Sequence, residues 1–393
     1  LHSFFRSSTS FRVRAALNLK GMPSGTRQTF ALQRQSSGGN PAFVNLVVGG
    51  SPPASLVWTG TVNAGNWDLN ASGNFSGGPT ATFFQLDGVT FNDSATVGAV
   101  VLDGILQPRS VSVANATRAY TFSGTGSLAG TTALVKSGSG TLTIAPAVAV
   151  VSTTTTAGSA AASVADAAGL AVGMAVLGGG FPYGTTVAAI AGTTLTLSAA
   201  STTSATASVT FQARNRFTGG TVIQGGTIQL ANEAANRWGL GTGRVTFEGG
   251  QLRLYDFGAN FPGSGDFPND LHVAAGRSGT LYTPQRGSLS GALTGEGTLQ
   301  VVVKYVRGDF YGDWSDFGGT LQIRAATGSE FRMAESYAPD GFPAALVDVG
   351  DGVTMKHVGI LSQGAGTTIE IGALSGSAGS LLTGGVTGGR ALT

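Results

Sequence analysis

The sequence predicts an all-β chain organised around a stacked solenoid, and three observations carry that prediction. A short phrase, Gly-Thr-(Leu/Ile) followed by alternating residues, recurs along the chain. Within each copy apolar residues alternate with Thr and Gln, the period of a β-strand. The composition agrees: Asp, Glu, Lys and Arg make up only 11% of the 393 residues, while 63 residues are Gly. A soluble domain carries about 25% charged residues and about 7% Gly. So many glycines imply many tight turns or close backbone approaches. They lack the triplet period of collagen and alternate with Val, Ile, Leu and Thr, which favours strands over disorder.

The copies are GSGTLTI (138–144), GGTIQL (225–230), GGQLRL (249–254), GEGTLQV (295–301), GGTLQI (318–323) and GTTIEI (366–371). Gly226 and Gly250 are 24 residues apart, and Gly297 and Gly319 are 22 apart. A period of about 20–25 residues with one strand phrase per copy is the signature of a solenoid, in which stacking buries a core that one copy cannot. Alternation puts Ile228 and Leu230 on one face and Thr227 and Gln229 on the other. In the same phase Leu252, Leu254, Leu299, Leu321 and Ile323 are expected to fill the core, with Thr320 and Gln322 outside.

Four regions follow along the chain. In residues 1–55, FRVRAALNLK (11–20) alternates strictly, with Phe11, Val13, Ala15, Leu17 and Leu19 on one face. TFALQRQ and AFVNLVVGG follow it, and the region reads as an N-terminal β arm or a small β-sandwich-like piece. The 11–20 strand is the candidate assembly strand, able to add to the exposed edge of a neighbouring subunit. Residues 56–145 open the solenoid, with Trp58, Trp67 and Phe75 as an aromatic cap on its end. A sugar-stacking platform is the other reading of that set. Residues 146–213 contain a single charge, Asp166, and read as a small β module inserted at a loop. Residues 214–393 continue the solenoid.

VKSGSGTLTIA, followed by RNRFTGGTVIQGGTIQLAN, resembles the autotransporter-associated β-strand repeat, also called the passenger-associated transport repeat. The likeness extends over residues 56–145 and 214–384, including VWTGTVNAGNWDLNASGNF and GEGTLQVVVKYVRGDFYGDWSDFGGTLQIRA. It departs from the family's pattern where residues 146–213 separate GTLTIA from the next segment. The resemblance implies a right-handed parallel β-helix at the bacterial surface, and it implies no catalytic residue.

Chemistry is sparse. With no cysteine, thiolate metal sites and thiol catalysis are excluded within this chain. A net charge of +2, with no run of Lys or Arg, argues against a nucleic-acid groove. No stretch reaches about 18 apolar residues, so no transmembrane segment is expected. The three histidines, His2, His272 and His357, share no ligand spacing. In RGDFYGDWSDF (307–317), Asp309, Asp313 and Asp316 are a weak candidate for Ca²⁺, or with Lys304 and Arg307 for a polysaccharide lyase. The segment reads better as a polar turn before a strand. No metal, cofactor or catalytic set is expected. The chain opens at Leu1 without an initiator Met, which reads as a processed product whose export signal has been removed.

The expected function is structural: a secreted, extracellular or cell-surface bacterial subunit that assembles head-to-tail with itself into a filament, sheath or adhesive fibre. Cell-surface or matrix polysaccharide is the other expected partner. The alternatives are a pectin-lyase-like β-helix that binds or degrades polysaccharide, and a monomeric autotransporter passenger.

Overall fold

Parallel pairing of the repeated phrases, each on the next, builds the body of the protein. The computed structural model describes residues 24–35, 43–255, 266–283, 287–303, 308–310, 312–325, 330–334, 341–350, 354–358 and 370–384. The candidate assembly strand at 11–20 lies outside them, as do Lys304 and Arg307. The described chain is a β-solenoid of about 10 turns, with parallel strands stacked in three walls.

The longest wall is an eleven-stranded parallel sheet running from Asn66–Trp67 to Ile371–Gly376. Its register aligns the repeats residue for residue. Tyr120, Leu142, Ile228, Leu252, Leu281, Val301, Ile323 and Val349 form one inward row, and all are buried. Leu230, Leu254, Leu299 and Leu321 are buried beside it. The adjacent outward row reads Thr141, Thr227, Gln251, Thr280, Gln300, Gln322, Asp348 and Ser375. The in–out alternation of the strands therefore becomes an apolar column inside and a polar ladder outside.

The second wall has nine strands, ending at Leu293–Gly295. Its first strand in the stack, Phe75–Ser76, runs antiparallel to Ser55–Trp58; the others run parallel. The third wall is assembled from shorter pieces. It contains the pair Ile105–Leu106 and Ser127–Leu128, a helix at Glu233–Trp238, and six parallel strands from Asp266–Phe267 to Leu381–Gly384. The helix begins where the Asn232 side chain accepts from Ala235 N at 2.8 Å, and Glu233 pairs with Arg237 one turn on at 3.1 Å. Corners turn on glycine. Gly226 has φ +65°, and a Cβ there would lie 2.3 Å from the Gly140 carbonyl oxygen of the preceding coil.

Trp58, Trp67 and Phe75 are buried inside the first coil, together with Phe83, Phe91 and Phe122. Trp67 meets Phe83 edge-on at 5.4 Å and Phe75 at 6.1 Å. Residues 24–27 lie against this coil, where Thr26 bridges Gln85 in parallel. From there Gln28–Gln35 and Phe43–Gly50 pair antiparallel over eight residues, as a two-stranded sheet separate from the walls.

Between Pro146 and Ala213 the chain leaves the solenoid. Six antiparallel-paired strands, from Val148–Thr155 to Ala205–Gln212, form a sheet of their own. Val164, Met174, Val176, Val187, Leu195, Leu197, Val209 and Phe211 form its core, distinct from that of the solenoid. Val148 pairs with Gln212 at the base, so the module leaves and returns through adjacent strands.

Candidate functional site

Where the module rejoins the solenoid, residues 213–217 run as an extended segment. Asn215 faces in, accepting from Leu128 N at 2.8 Å and donating to Gly239 O at 2.7 Å. The residues on either side of it, Arg214 and Arg216, are only partly buried. Burial pushes the Arg214 guanidinium pKa down, with Arg216 adding repulsion. Among the described residues neither arginine has a hydrogen-bonded or ion-paired partner, and Arg214 Nε is buried without one.

Arg214 lines a cleft of about 170 Å³ between the two bodies. Asp103, Ile105, Thr125 and Ser127 contribute the solenoid side, and Ala171, Val172 and Met174 the module side. Beyond Arg214 lies Trp238 of the short helix, with Arg214 Cζ 5.6 Å and Arg237 Cζ 6.0 Å from its ring centroid. Tyr183 of the module stacks on Trp238 at 6.1 Å and 28°, yet stays 77% exposed. Trp238 Nε1 donates to Gln212 Oε1 at 3.2 Å, which fixes the indole against the module's base. The arrangement joins an aromatic platform, two guanidinium groups without a partner among the described residues and one exposed carboxylate, a set suited to holding a polar ligand.

The three aspartates singled out in the sequence, Asp309, Asp313 and Asp316, are placed differently. Asp313 is exposed, and its Oδ1 accepts from Ser315 Oγ at 2.7 Å and Ser315 N at 3.0 Å, closing a local turn. Those bonds hold its carboxyl below the usual range. Asp316 is exposed. Asp309 sits in Gly308–Phe310, in register with Ser288 and Arg332; its side chain lies outside the described residues. Between these positions Trp314 is buried, donating from Nε1 to Gly291 O at 3.1 Å, and Phe317 is buried too. Among the described residues no three His, Asp or Glu side chains converge as metal ligands would. His272 Nδ1 lies 2.9 Å from Thr294 Oγ1, and burial lowers its pKa.

Sequence reasoning missed the polar groups that fasten one coil to the next. Lys136 occupies the inward row between Val113 and Ile223 and is fully buried. Its Nζ donates to the carbonyls of Ser137 (2.6 Å), Gly138 (3.1 Å) and Gly225 (3.4 Å), and burial lowers its pKa to about 8. Asp93 accepts from the backbone N–H groups of Ala116, Thr117 and Arg118 in the following coil at 2.8–3.1 Å. Those bonds hold its carboxyl down at about 2.

The two ends of the stack differ. At the first coil Asp87 receives Arg27, Ala54 N and Phe84 N. At the last, Leu374 is in register with the buried Val347 but is 53% exposed, and Leu381 is 55% exposed. No protein-family model matches the chain, and no curated protein matches it.

Proposed function

We propose that the protein is the structural subunit of an extracellular bacterial fibre, assembled head-to-tail from copies of itself. The observation that carries the reading is the difference, among the described residues, between the first and last coils of the stack. Leu374 continues a column whose earlier members, Leu299, Leu321 and Val347, are fully buried, and it is left half-exposed. Among the described residues its backbone belongs to the last strand of an eleven-stranded parallel sheet. A strand edge with apolar side chains is a template for another strand. At the opposite end the two-stranded sheet Gln28–Gln35/Phe43–Gly50 stands apart from the walls, with Val47 and Val48 exposed. Two-stranded sheets are marginal in water by themselves and gain most from a partner. Two different surfaces at opposite ends make a heterologous contact, which propagates instead of closing.

The repeat's likeness to surface-exported β-strand repeats, the low charge and the absence of cysteine support the extracellular placement. Low net charge removes the repulsion that keeps soluble proteins apart. The role is one of shape and contact, with the ladder of Thr and Gln as the lateral surface.

Negative-stain microscopy and sedimentation of the purified chain test the reading. The expected result is unbranched fibres whose growth stops in Leu374→Glu/Leu381→Glu, while that variant keeps the parent's circular dichroism. Deleting residues 1–20 tests whether the N-terminal strand is the joining element. Monodisperse single rods at high protein concentration would overturn the proposal.

A further inference from the structure

We infer that the cleft between the solenoid and the inserted module binds an acidic polysaccharide, a chain of uronate sugars, with one residue in the cleft and its neighbour on the Tyr183–Trp238 platform. Two charges near the cleft are left unused. Arg214 and Arg216 project from one short segment and have no anionic partner among the described residues. Arg216 Nη2 comes within 3.4 Å of where a Cβ on Gly173 would sit, which puts a second guanidinium at the cleft's module wall. Guanidinium forks match carboxylates, and two of them at one opening select an anion.

The remaining groups say what kind of anion. A cleft of about 170 Å³ is smaller than the ~300–1,000 Å³ of a drug-sized pocket and has room for a group of about monosaccharide size. Asp103, Thr125 and Ser127 line the solenoid side of the cleft, residue types that can accept from the hydroxyl groups of a ligand. An inorganic anion would gain nothing from Asp103, which repels it; a sugar acid has hydroxyls to offer. Tyr183 stacks on Trp238 on one side and is 77% exposed. A free aromatic face beside a carboxylate-binding cleft fits the apolar face of a pyranose ring. The site requires both bodies, which gives the insertion at residues 146–213 a purpose that solenoid stacking does not.

Binding is read by titrating the full-length chain with a hexamer of galacturonate, following tryptophan fluorescence and heat. Trp58, Trp67 and Trp314 are buried at 0–1% exposure, so a ligand-induced change reports Trp238. The expected result is saturable binding of the uronate hexamer and none by a neutral glucose hexamer. Arg214→Gln/Arg216→Gln should weaken it by about tenfold or more, each lost charged hydrogen bond costing roughly that much. Tyr183→Ala, at an exposed position, should weaken it by about threefold to tenfold without altering the melting temperature. The inference is overturned by no saturable binding, by equal binding of the neutral hexamer, by equal competition from inorganic phosphate, or by unchanged affinity in both variants. Fibre formation is scored separately, so loss of one property leaves the other intact.

Discussion

Arg27 Nε lies 2.9 Å from both carboxylate oxygens of Asp87, in an ion pair buried on both sides. The same carboxylate accepts from Ala54 N at 2.7 Å and Phe84 N at 2.9 Å, while Arg27 Nη2 donates to Thr82 O and its Cζ sits 4.5 Å from the Phe84 ring centroid. One side chain thus anchors residues on both sides of the Gln28–Gln35/Phe43–Gly50 pair to the first coil. Asp87→Ala leaves the Nε of a buried guanidinium and two backbone donors without an acceptor, and breaking such a pair costs about 3–5 kcal/mol. Urea titration should show a loss of that order, and limited trypsin digestion should cut residues 28–50 faster than in the parent. Arg27→Lys keeps the charge but loses the fork, so a smaller loss is expected. Unchanged stability in Asp87→Ala would remove this carboxylate from its anchoring role.

How far the sequence could lead depended on the length of each signal. The Thr-Ile-Gln-Leu phrases show four or more alternating positions, enough to set a phase, and Ile228, Leu230, Leu252, Leu254, Leu299, Leu321 and Ile323 are buried in that phase. The first third-wall strands of the six, Asp266–Phe267, Gly287–Leu289 and Gly308–Phe310, are two or three residues long, too short for alternation to register. Lys136 reads as an exposed residue by composition, and only the stacking register turns it inward. The cleft and the aromatic pair beside it draw on Asp103, Arg214, Tyr183 and Trp238, residues far apart in sequence that approach because the module folds back on the coil it leaves. The one local hint was RNR at 214–216, two arginines flanking an Asn at the module's end.

Alkaline pH should first stabilise and then destabilise the fold. Lys136 titrates at about 8 when buried, against 10.5 for an ordinary lysine, so between those values the unfolded chain binds more protons. Stability then rises with pH across that window and is flat below it, where both states are protonated. Tyr120 is shifted the other way, from 10.0 to about 12, by burial first. Above pH 10 the folded state holds the extra proton, and stability falls as pH rises further. Urea midpoints should therefore peak near pH 10. Lys136→Met removes the rising limb and keeps the falling one; a rise that persists in this variant would assign it to other groups.

Asp93 contributes on the acid side, as do Asp313 and Asp348, whose carboxyls are also held down. Three backbone N–H donors from Ala116, Thr117 and Arg118 favour its ionised form and lower its pKa from 3.8 to about 2. A carboxyl depressed in the folded state contributes stability above pH 3.8, and that contribution is lost as pH falls through about 2. Asp93→Asn should be less stable than the parent at neutral pH, and the two should converge at the acid end. An equal gap between them at every pH would show that the side chain acts through its shape and not its charge.

Excision of the module should leave the solenoid folded. Ala213 N donates to Ala147 O at 2.8 Å, and Val148 pairs with Gln212, so the chain leaves and returns at neighbouring positions. The module has its own hydrophobic core, separate from the solenoid's. Replacing residues 148–212 with Asn-Gly offers the two-residue turn that such a pair of strands accepts. The shorter closure costs little, because loop entropy varies only slowly with length. Circular dichroism should keep its β signature, and the solenoid's melting transition should shift by no more than a few degrees. Trp238 loses Gln212 and Tyr183 in this variant, so its emission should move to the red while the three buried tryptophans stay unchanged. An insoluble or unfolded product would show that the module is part of the fold's foundation, and the cleft would then be a seam between mutually dependent halves.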